Sequence, residues 1–398
     1  MNKENIVIVG GGFAGISAAL KLTKRSVTDK YNVILINKTE RMLFTPDLYE
    51  LLGNPHKEKK VTVDIKNIFL FRKIHLIFDS AESIDTDKKQ VLLKNNSPIN
   101  YKYLLITTGS SMNSHGITSI EKYAYILKDA DDAEKIHEKL VNLCNDCLIN
   151  TRPYNIVIGG AGYTGVEIGA EIADFTKSLF HDKKINHENL NIFMINPSDK
   201  LLKNMENGAG DAARQKLKDL GVKIVENEKV VHITENKIEM ADGSSMDYDM
   251  FIWSGGVKGN EIISKSKFSP KDYSPSSRLI TDKYMQVKDN ENIFACGDSA
   301  TMEDQDIPML AQVAIEEGKL AGKNIAAKIH DKPMKEFKLH LHGQIIPISG
   351  DYSYGVLFGH VVKGRIAIFL QKLIFLNFLL QILPPIRAFI KWGIYLVK

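Results

Sequence analysis

An α/β fold with two Rossmann-like dinucleotide-binding domains is predicted by the sequence, on three observations. A glycine-rich segment follows a short apolar strand near the N-terminus. A second segment of the same kind follows another apolar strand 150 residues later. The last 36 residues are apolar and basic, which predicts a C-terminal amphipathic helical region that binds a membrane.

Both glycine-rich segments have the G-x-G-x-x-G spacing between a strand and a helix. The first comprises Gly10, Gly12, Phe13, Ala14 and Gly15, directly after the strand Ile6–Val9. The second comprises Gly160, Gly162, Tyr163, Thr164 and Gly165, directly after the strand Ile156–Ile158. This spacing allows a tight turn, lets backbone N–H groups approach a pyrophosphate, and directs a helix N-terminus at its charge.

Two dinucleotide sites in one chain indicate that one nucleotide is held while the other exchanges, with electrons passing between them. This is the organisation of a flavoprotein reductase, so we expect FAD at the first segment and NADH or NADPH at the second. The predicted domains are a first FAD-binding segment (1–112), an inserted NAD(P)H-binding domain (113–278), a second FAD-binding segment (279–335) and a C-terminal membrane-associated region (336–398).

Composition places the chain among ordinary globular proteins, with 44% hydrophobic and 25% charged residues in 398. The first strand begins at Ile6, too early for a secretory signal, and three cysteines make a disulfide framework improbable. The net charge of +4 conceals an asymmetry, because residues 363–398 contain six basic residues and no acidic one. This basic tail predicts an anionic membrane surface as a partner and argues against nucleic acid.

The tail divides into two amphipathic segments, Lys363–Ile382 and Ile386–Lys398, separated by Pro384 and Pro385. Neither offers the roughly 20 uninterrupted apolar residues of a membrane-spanning helix. In the second segment Trp392 and Tyr395 are expected at headgroup depth. A core or dimer helix is the alternative, and a homodimer is left open.

The order of these motifs resembles that of the type II NADH:quinone oxidoreductases, the single-subunit, non-pumping flavoproteins of respiratory membranes. The resemblance covers nearly the whole chain; besides the two glycine segments it rests on Phe44–Tyr49, Thr107–Gly109, Trp253–Val257, Ala295–Asp298, Ala311–Ala314 with Gly318, Gly364–Ala367 and Lys391–Trp392. It implies transfer of electrons from NADH to a membrane quinone by a peripheral enzyme on the cytoplasmic face of the cell membrane.

The resemblance also implies roles for individual residues. Glu167 would lie near the contact between flavin and nicotinamide, and Gln312 and Glu316, four apart on one helix, would lie beside the quinone. For Glu167 a favourable position in the helix dipole is the alternative, and for Glu316 an ordinary surface position. The residues expected around FAD, besides the first glycine segment, are Asn37, Lys38, Thr108, Gly109, Gly297, Asp298, Gln312 and Val313.

Two asparagines depart from the usual dinucleotide pattern. Asn37 and Asn196 each end the second strand of their unit, where an acidic residue commonly binds the ribose hydroxyls. An amide can still form a hydrogen bond with a ribose hydroxyl, so both units can still bind a dinucleotide. The missing acid at Asn196 weakens discrimination against the 2′-phosphate of NADPH, and we expect Gly255 and Gly256 to complete this site.

The three cysteines suggest one rival function, a reductase that uses thiols. Cys144 and Cys147 form a C-x-x-C that is reminiscent of thioredoxin reductases, and Cys296 precedes the Gly297-Asp298 turn as a candidate sulfide-reactive thiol. A sulfide:quinone or disulfide reductase would need these thiols beside the flavin. A redox sensor with negligible turnover is the second rival. No metal site is expected, because no second pair of ligands follows at a suitable spacing.

Overall fold

The structure is a computed structural model that describes residues 3–150, 152–182, 189–305 and 307–396. The helices are α1 (Phe13–Leu22), α2 (Arg25–Thr28), α3 (Glu58–Val61), α4 (Ile65–Ile68), α5 (Ile120–Tyr123), α6 (Ala130–Ile149), α7 (Tyr163–Asp182), α8 (Ala209–Asp219), α9 (Glu261–Ser264), α10 (Ala311–Ile329), α11 (Arg365–Ile382) and α12 (Pro385–Leu396). Single-turn or short 3₁₀ helices cover Thr45–Leu51, Pro55–Lys57, Pro270–Asp272 and Gly297–Ser299.

The strands, in chain order, form two parallel sheets and several small antiparallel ones. They are β1 (Asn5–Val9), β2 (Asn32–Asn37), β3 (Arg41–Leu43), β4 (Thr62–Asp64), β5 (His75–Phe78), β6 (Ala81–Asp85), β7 (Gln90–Leu93), β8 (Ile99–Asn100), β9 (Tyr103–Ile106), β10 (Ser110–Met112), β11 (Tyr154–Gly159), β12 (Leu190–Asn196), β13 (Val222–Glu226), β14 (Val230–Ile233), β15 (Lys237–Met240), β16 (Ser245–Asp247), β17 (Met250–Trp253), β18 (Val257–Gly259), β19 (Leu279–Thr281), β20 (Ile293–Ala295), β21 (Ala300–Met302), β22 (Gly343–Ser349), β23 (Tyr352–Leu357) and β24 (His360–Lys363).

The first parallel sheet has the strand order β20-β9-β1-β2-β5. Its central strand β1 is apolar and β-branched, and Ile6, Val7 and Ile8 are completely buried, as a strand covered on both faces requires. The edge strand β20 follows the second nucleotide unit in the chain, yet it pairs with β9 in register from Ile293–Leu104 onwards. The second unit is therefore inserted into the first.

The second parallel sheet has the order β13-β12-β11-β17. The helix α7 begins directly after β11, so its N-terminus lies at the carboxyl edge of this sheet, the edge where α/β proteins bind ligands. Before this sheet, α6 begins with a capping box, because the Asp129 carboxylate accepts from the Asp132 N–H while the Asp132 carboxylate accepts from the Asp129 N–H. This helix continues to Ile149.

Helices α1 and α10 approach each other closely through glycines. A Cβ atom placed on Gly318 would lie 2.1 Å from the backbone oxygen of Ala14, and one on Gly322 would lie 2.7 Å from that of Ala18. Carbon and oxygen atoms do not pack at such distances, so only glycine permits this crossing. The contact joins the helix of the first glycine segment to the helix that carries Gln312.

The C-terminal region begins with the antiparallel sheet β22-β23-β24, which packs on α7, and ends with α11 and α12. The inner faces of these two helices join the same core as the first sheet, through Phe375, Leu379 and Ala388 among others. By length and composition α11 is apolar enough to cross a membrane, although 28% of it is buried inside the protein. Val397 and Lys398, part of the predicted tail, lie outside the described residues.

The prediction of an α/β fold with two Rossmann-like units and a helical C-terminal region is confirmed. The exact domain boundaries at 112, 278 and 335 remain predictions. Membrane binding by the C-terminal helices is taken up below as a proposal.

The glycine contact between α1 and α10 predicts a measurable loss of stability. We expect Gly318→Ala to lower the free energy of unfolding by about 1–3 kcal/mol, because the added methyl group must push the two helices apart. Thermal unfolding of the FAD-loaded protein measures the effect. The matched control is Gly393→Ala on α12, where a Cβ atom meets no other atom within 4 Å; a midpoint equal to or above the wild-type value is expected there, since alanine favours a helix. Equal midpoints for Gly318→Ala and the wild type would contradict the close-contact argument.

Candidate functional site

The first glycine segment is shaped for close approach by a ligand. Gly10 has φ +106°, and a Cβ atom on it would lie 2.2 Å from the Thr107 oxygen. A Cβ atom on Gly15 would lie 1.9 Å from the Gly10 oxygen, so helix and strand need glycine at both positions. At Gly12, in contrast, a Cβ atom would meet nothing within 4 Å. The middle glycine therefore faces open space at the helix N-terminus, where a pyrophosphate fits.

The second glycine segment repeats this arrangement. A Cβ atom on Gly160 would lie 2.9 Å from the Ser254 oxygen, and one on Gly165 would lie 2.0 Å from the Gly160 oxygen. Gly162 again faces open space, and Thr164 beside it is exposed. Two equivalent cradles, at the N-termini of α1 and α7, fit two dinucleotides.

The residues around the first cradle fit FAD. Asn37 connects the cradle to the end of β2, because its Oδ1 accepts from the Gly11 N–H at 2.7 Å and its Nδ2 donates to the Thr39 oxygen at 2.8 Å. The Thr108 Oγ1 atom is buried and has no hydrogen-bond partner within the described part of the chain, as expected of a group that a cofactor completes. Gly109 follows with φ +70° and open space, whereas Lys38 is exposed and pairs with Asp129 at 3.6 Å.

Asp298 belongs to a chain of polar contacts at the far side of this cradle. Ser110 Oγ donates to Asp298 Oδ2 at 3.2 Å, and Lys128 Nζ donates to Ser110 Oγ at 3.1 Å. Burial lowers the pKa of Lys128, opposed by the charge of Asp298. Val313, the other residue expected near FAD on α10, is only 4% exposed and packs in the hydrophobic core with residues of α1.

Glu317 is a residue of this region that sequence reasoning missed, because Glu316, Glu317 and Lys319 together resembled an ordinary surface. Glu317 is only 6% exposed, and its Oε2 accepts from the Gly297 N–H at 2.6 Å. Burial raises its pKa to about 7, opposed by that hydrogen bond and by the charge of Arg278. No local sequence signal distinguishes it from its neighbours; only the contact between α10 and the Gly297–Ser299 turn identifies Glu317.

The second cradle opens into a pocket of about 360 Å³. Asn196 lies in its wall and is 6% exposed, and its Nδ2 donates to the oxygens of Ser198 and Lys200 at 2.8 and 3.1 Å. The amide thus fixes the loop after β12, and its donor is not free for a ribose. Lys200 and Lys203 also line the pocket, which leaves two cations where an acid would otherwise reject a 2′-phosphate.

Gly255 and Gly256 lie at the end of β17, opposite the start of α7. The Gly255 oxygen is hydrogen-bonded to His115 Nε2 at 2.6 Å, and Gly256 has φ +119°. A Cβ atom on Gly255 would lie 2.1 Å from the Trp253 ring, so the backbone passes directly over the indole. His115 was not identified from the sequence.

Three elements, α7, α10 and β22, meet at Gly343 and Gln344. Tyr163, the first residue of α7, donates its hydroxyl hydrogen to Gln344 Oε1. Gln312, near the start of α10, donates from Nε2 to the Gly343 oxygen at 2.8 Å. The adjacent residues Gly343 and Gln344 of β22 therefore link the nucleotide helix α7 to the predicted quinone-side residue Gln312. This linkage could not be seen in the sequence, since Gln344 belongs to a strand 181 residues from Tyr163.

Glu316 does not share the environment of Gln312, although the spacing suggested that it would. Its side chain is 55% exposed, and its Oε1 lies 2.7 Å from Lys319 Nζ. The alternative of an ordinary surface position therefore describes Glu316, because α10 turns it to the surface one turn beyond the site. Its catalytic role remains a prediction without a supporting contact.

Glu167 lies among other buried acids. Burial raises its pKa well above the usual range, and the nearby charge of Asp47 adds to the effect. Asp47 is completely buried; burial and the charge of Glu50 raise its pKa to about 7, while Tyr395 and Gln371 oppose the shift. The shift favours the protonated form of Glu167, the form of a carboxyl group that can donate a proton.

Asp47 also connects these acids to the C-terminal helices. Its Oδ1 accepts from Gln371 Nε2 on α11 at 3.0 Å, and its Oδ2 accepts from the Tyr395 hydroxyl on α12 at 2.8 Å. Tyr395 is 8% exposed, so the expectation that it lies at headgroup depth is wrong. The hydrogen bond with Asp47, on the Thr45–Leu51 helix, holds Tyr395 in the core instead.

The cysteines lack the features of a reactive pair. Cys144 and Cys147 both lie on α6, and burial raises the pKa of Cys147 to about 11. Cys296 is 1% exposed, and burial raises its pKa well above the usual range. Thiols with raised pKa values are poor nucleophiles. Among the described residues, no group of three or more His, Cys, Asp or Glu is placed to hold a metal ion.

The two cations at the nucleotide pocket predict an effect on cofactor choice. We expect Lys200→Gln/Lys203→Gln to raise KM for NADPH at least about fivefold and KM for NADH less than about twofold, because only NADPH carries a 2′-phosphate that would lie near these side chains. Steady-state kinetics with both nucleotides measures the change. The control Lys218→Gln/Lys229→Gln removes two exposed charges elsewhere in the same domain, and an equal effect of both pairs would contradict the assignment.

Comparison with known proteins agrees with this geometry. Residues 4–318 match the model of the family described as pyridine nucleotide-disulphide oxidoreductase. A type II NADH:quinone oxidoreductase of Staphylococcus aureus (strain NCTC 8325 / PS 47) is 24% identical over 390 residues, which cover 94% of each chain. Among solved structures, NDH2 from Plasmodium falciparum in complex with NADH superposes with a TM-score of 0.86 at 20% identity, covering 98% of both chains. The sulfide:quinone oxidoreductase of Aquifex aeolicus gives 0.74 at 19% identity, covering 93% of this chain and 89% of that one. The family match spans both dinucleotide units, and the chain belongs to the pyridine nucleotide-disulphide oxidoreductases.

Proposed function

We propose that this protein is an FAD-dependent NADH:quinone oxidoreductase of the type II class, attached peripherally to a membrane. One observation carries the proposal: the contacts of Tyr163 with Gln344 and of Gln312 with Gly343 join the nucleotide helix and the quinone-side helix through β22. The likeness to the Staphylococcus aureus enzyme over 94% of both chains supports it.

The two cradles set the geometry of electron transfer. The α1 N-terminus with Gly12, Asn37 and Thr108 would hold FAD, and the α7 N-terminus with Gly162 would hold the pyrophosphate of NADH. Bound FAD would supply the two-electron chemistry, accepting hydride from the nicotinamide and passing electrons to the quinone. The residues of the protein then bind and orient these groups, and they exclude water from the site.

Reduction of a quinone to a quinol also requires protons. Burial raises the pKa of Glu167, which lies on the first turns of α7, four residues after Tyr163 and its contact with Gln344. We assign it the role of proton donor on the quinone side, with Asp47 as the neighbouring acid. Gln312, fixed by Gly343, would orient the quinone through the remaining hydrogen-bonding capacity of its amide.

The rival functions based on thiols lack support. Cys144 and Cys147 lie on α6, a helix of the inserted unit, and Cys147 packs against the hydrophobic core that contains β11 and β12. Similarity to the sulfide:quinone oxidoreductase is a similarity of fold. The proposed acceptor is therefore a quinone and the proposed donor NADH.

Exposed apolar stripes on the C-terminal helices support attachment to a membrane surface. On α12 they follow helical spacing through Ile386, Phe389, Ile390 and Ile394, each at least 48% exposed, and on α11 they include Ile366 and Phe369. Not all tail charges are available, because Arg387 donates to Asn67 Oδ1 at 2.7 Å and Lys391 Nζ donates to the Lys59 oxygen. We place the protein on the cytoplasmic face, where NADH is produced; a homodimer remains a prediction.

Rapid mixing tests the redox proposal. NADH should bleach the flavin absorbance, and a quinone analogue should restore it. The variant Cys144→Ala/Cys147→Ala/Cys296→Ala should retain at least half of the quinone-dependent rate, because Cys144 and Cys296 are buried and the pKa values of Cys147 and Cys296 are raised. Reduction by sulfide but not by NADH, or loss of the flavin-to-quinone step in the variant with FAD still bound, would favour a thiol mechanism. Reduction by NADH without reoxidation by quinone would favour a sensor.

Vesicle sedimentation tests the membrane proposal. We expect Phe389→Ser/Ile390→Ser/Ile394→Ser to reduce binding to phospholipid vesicles at least tenfold, since burial of each side chain contributes about 1.5–3 kcal/mol. Removal of the whole tail is unsuitable, because its inner face forms part of the core. The control Ile149→Ser/Val231→Ser replaces exposed apolar residues elsewhere. Undiminished sedimentation of the first variant would place the membrane contact outside α12.

A further inference from the structure

A basic cavity of about 190 Å³ lies between α1, the segment 69–72, α10 and α11. Its lining contains four cationic side chains: Lys21, Lys24, Arg72 and Lys319. The opposite wall is apolar and includes Phe378 and Ile382 of α11. No step of the electron transfer described above uses these cations.

The cations of the basic cavity have little counter-charge. Lys319 pairs with Glu316 at 2.7 Å, the carboxylate that α10 turns to the surface. The pKa of Lys21 is lowered, first by burial and then by repulsion from Lys323, Lys319 and Lys24, with Glu316 opposing weakly. Several positive charges around one partly enclosed space attract an anion, whose binding would relieve their repulsion.

An apolar loop tip adjoins the basic cavity. Arg72 lies against the end of α1, with its Nη1 at 3.3 Å from Thr23 Oγ1 and 3.4 Å from the Leu20 oxygen. The two residues before it, Leu70 and Phe71, are 50% and 83% exposed. Apolar side chains of this size beside cations are typical of a surface that enters a lipid interface.

The loop tip lies on the same side of the protein as the C-terminal helices. Asn67, three residues before Leu70, accepts the hydrogen bond from Arg387 of α12 at 2.7 Å. The helix α11 forms a wall of the basic cavity and presents Phe369 and Leu380 to solvent. Cations, loop tip and apolar helix faces thus border one surface region.

We propose that the basic cavity binds the phosphate group of an anionic phospholipid, whose acyl chains lie along the α11 wall while Leu70 and Phe71 enter the membrane beside it. The charge of the cavity selects an anion, and its apolar wall distinguishes a lipid from a free ion. The inference rests on the proposed membrane attachment and adds a headgroup-selective contact separate from the α12 stripe.

Vesicle flotation tests this site. The variant Lys21→Gln/Lys24→Gln/Arg72→Gln removes three of the four cations, and the control Lys94→Gln/Lys218→Gln/Lys229→Gln removes three exposed charges far from it in sequence. On phosphatidylglycerol vesicles the first variant should bind at least tenfold more weakly than the wild type, and the control less than about twofold. On phosphatidylcholine vesicles the three proteins should bind alike. Equal losses of binding in both variants would show that binding depends only on net charge, and would overturn the proposal.

Thermal shift distinguishes a lipid from a free anion, because a ligand that binds only the folded state raises the unfolding midpoint. Dihexanoyl-phosphatidylglycerol below its micelle concentration should raise the midpoint of the wild type and the control, but not of the cavity variant. An equal rise with inorganic phosphate at the same concentration would show a free-anion site and overturn the lipid assignment. Should the triple variant fail to retain FAD, Lys24→Gln/Arg72→Gln, both exposed, replaces it.

The vesicle-binding results can be distinguished from a failure of the proposed redox function. Both variants should keep reduction of FAD by NADH and turnover with a water-soluble quinone, so a loss of electron transfer would point to the redox proposal instead. If the cavity variant floats like the control while the α12 variant does not, the phospholipid site in the basic cavity is contradicted and the membrane contact of α12 is not.

Discussion

The close contact of α1 with α10 is the constraint on which the proposed site depends. Gly318 and Gly322 allow the backbones to touch, so the first glycine segment and the Gln312 helix form one rigid unit. From the same helix Glu317 accepts the Gly297 N–H, which fixes the turn that carries Asp298. One helix pair thereby positions both ends of the FAD cradle. Lys21 and Lys319 lie on the same two helices, so the basic cavity is built on this pair as well.

Buried acids connect the membrane-side helices to the nucleotide helix. Asp47 receives one hydrogen bond from α11 and one from α12, and its charge acts on Glu167 of α7. Its pKa, raised from 3.8 to about 7, exceeds the unfolded-state value. The acid therefore favours the folded state at low pH, and this contribution falls as the pH rises from about 4 to about 7. The docking of the C-terminal helices is thus coupled to protonation next to the proposed quinone side.

Charge and apolar surface have separate roles in the proposed membrane contact. Of the six tail cations, Arg387 and Lys391 are hydrogen-bonded to the body of the protein, and burial lowers the pKa of Lys391 to about 8. Lys363 and Arg365 are exposed, so the tail contributes apolar side chains and part of the charge. Further charge next to the C-terminal helices comes from the first domain, through Lys21, Lys24 and Arg72.

The sequence by itself determined the two dinucleotide units, their order and the helical tail, because strand, glycine turn and helix start are local patterns within about 20 residues. It also placed Asn37 and Asn196 at strand ends. Only the tertiary structure decided which polar residues are buried: Glu317 and Asp47 are enclosed, Glu316 is exposed, and Tyr395 lies in the core. Helical spacing gives the relative orientation of side chains on one helix, but which face is covered depends on the segment that packs against it. The partners that decide these cases, from Gly297 to Gln371 and Gln344, are distant in the chain and meet only when the domains fold together.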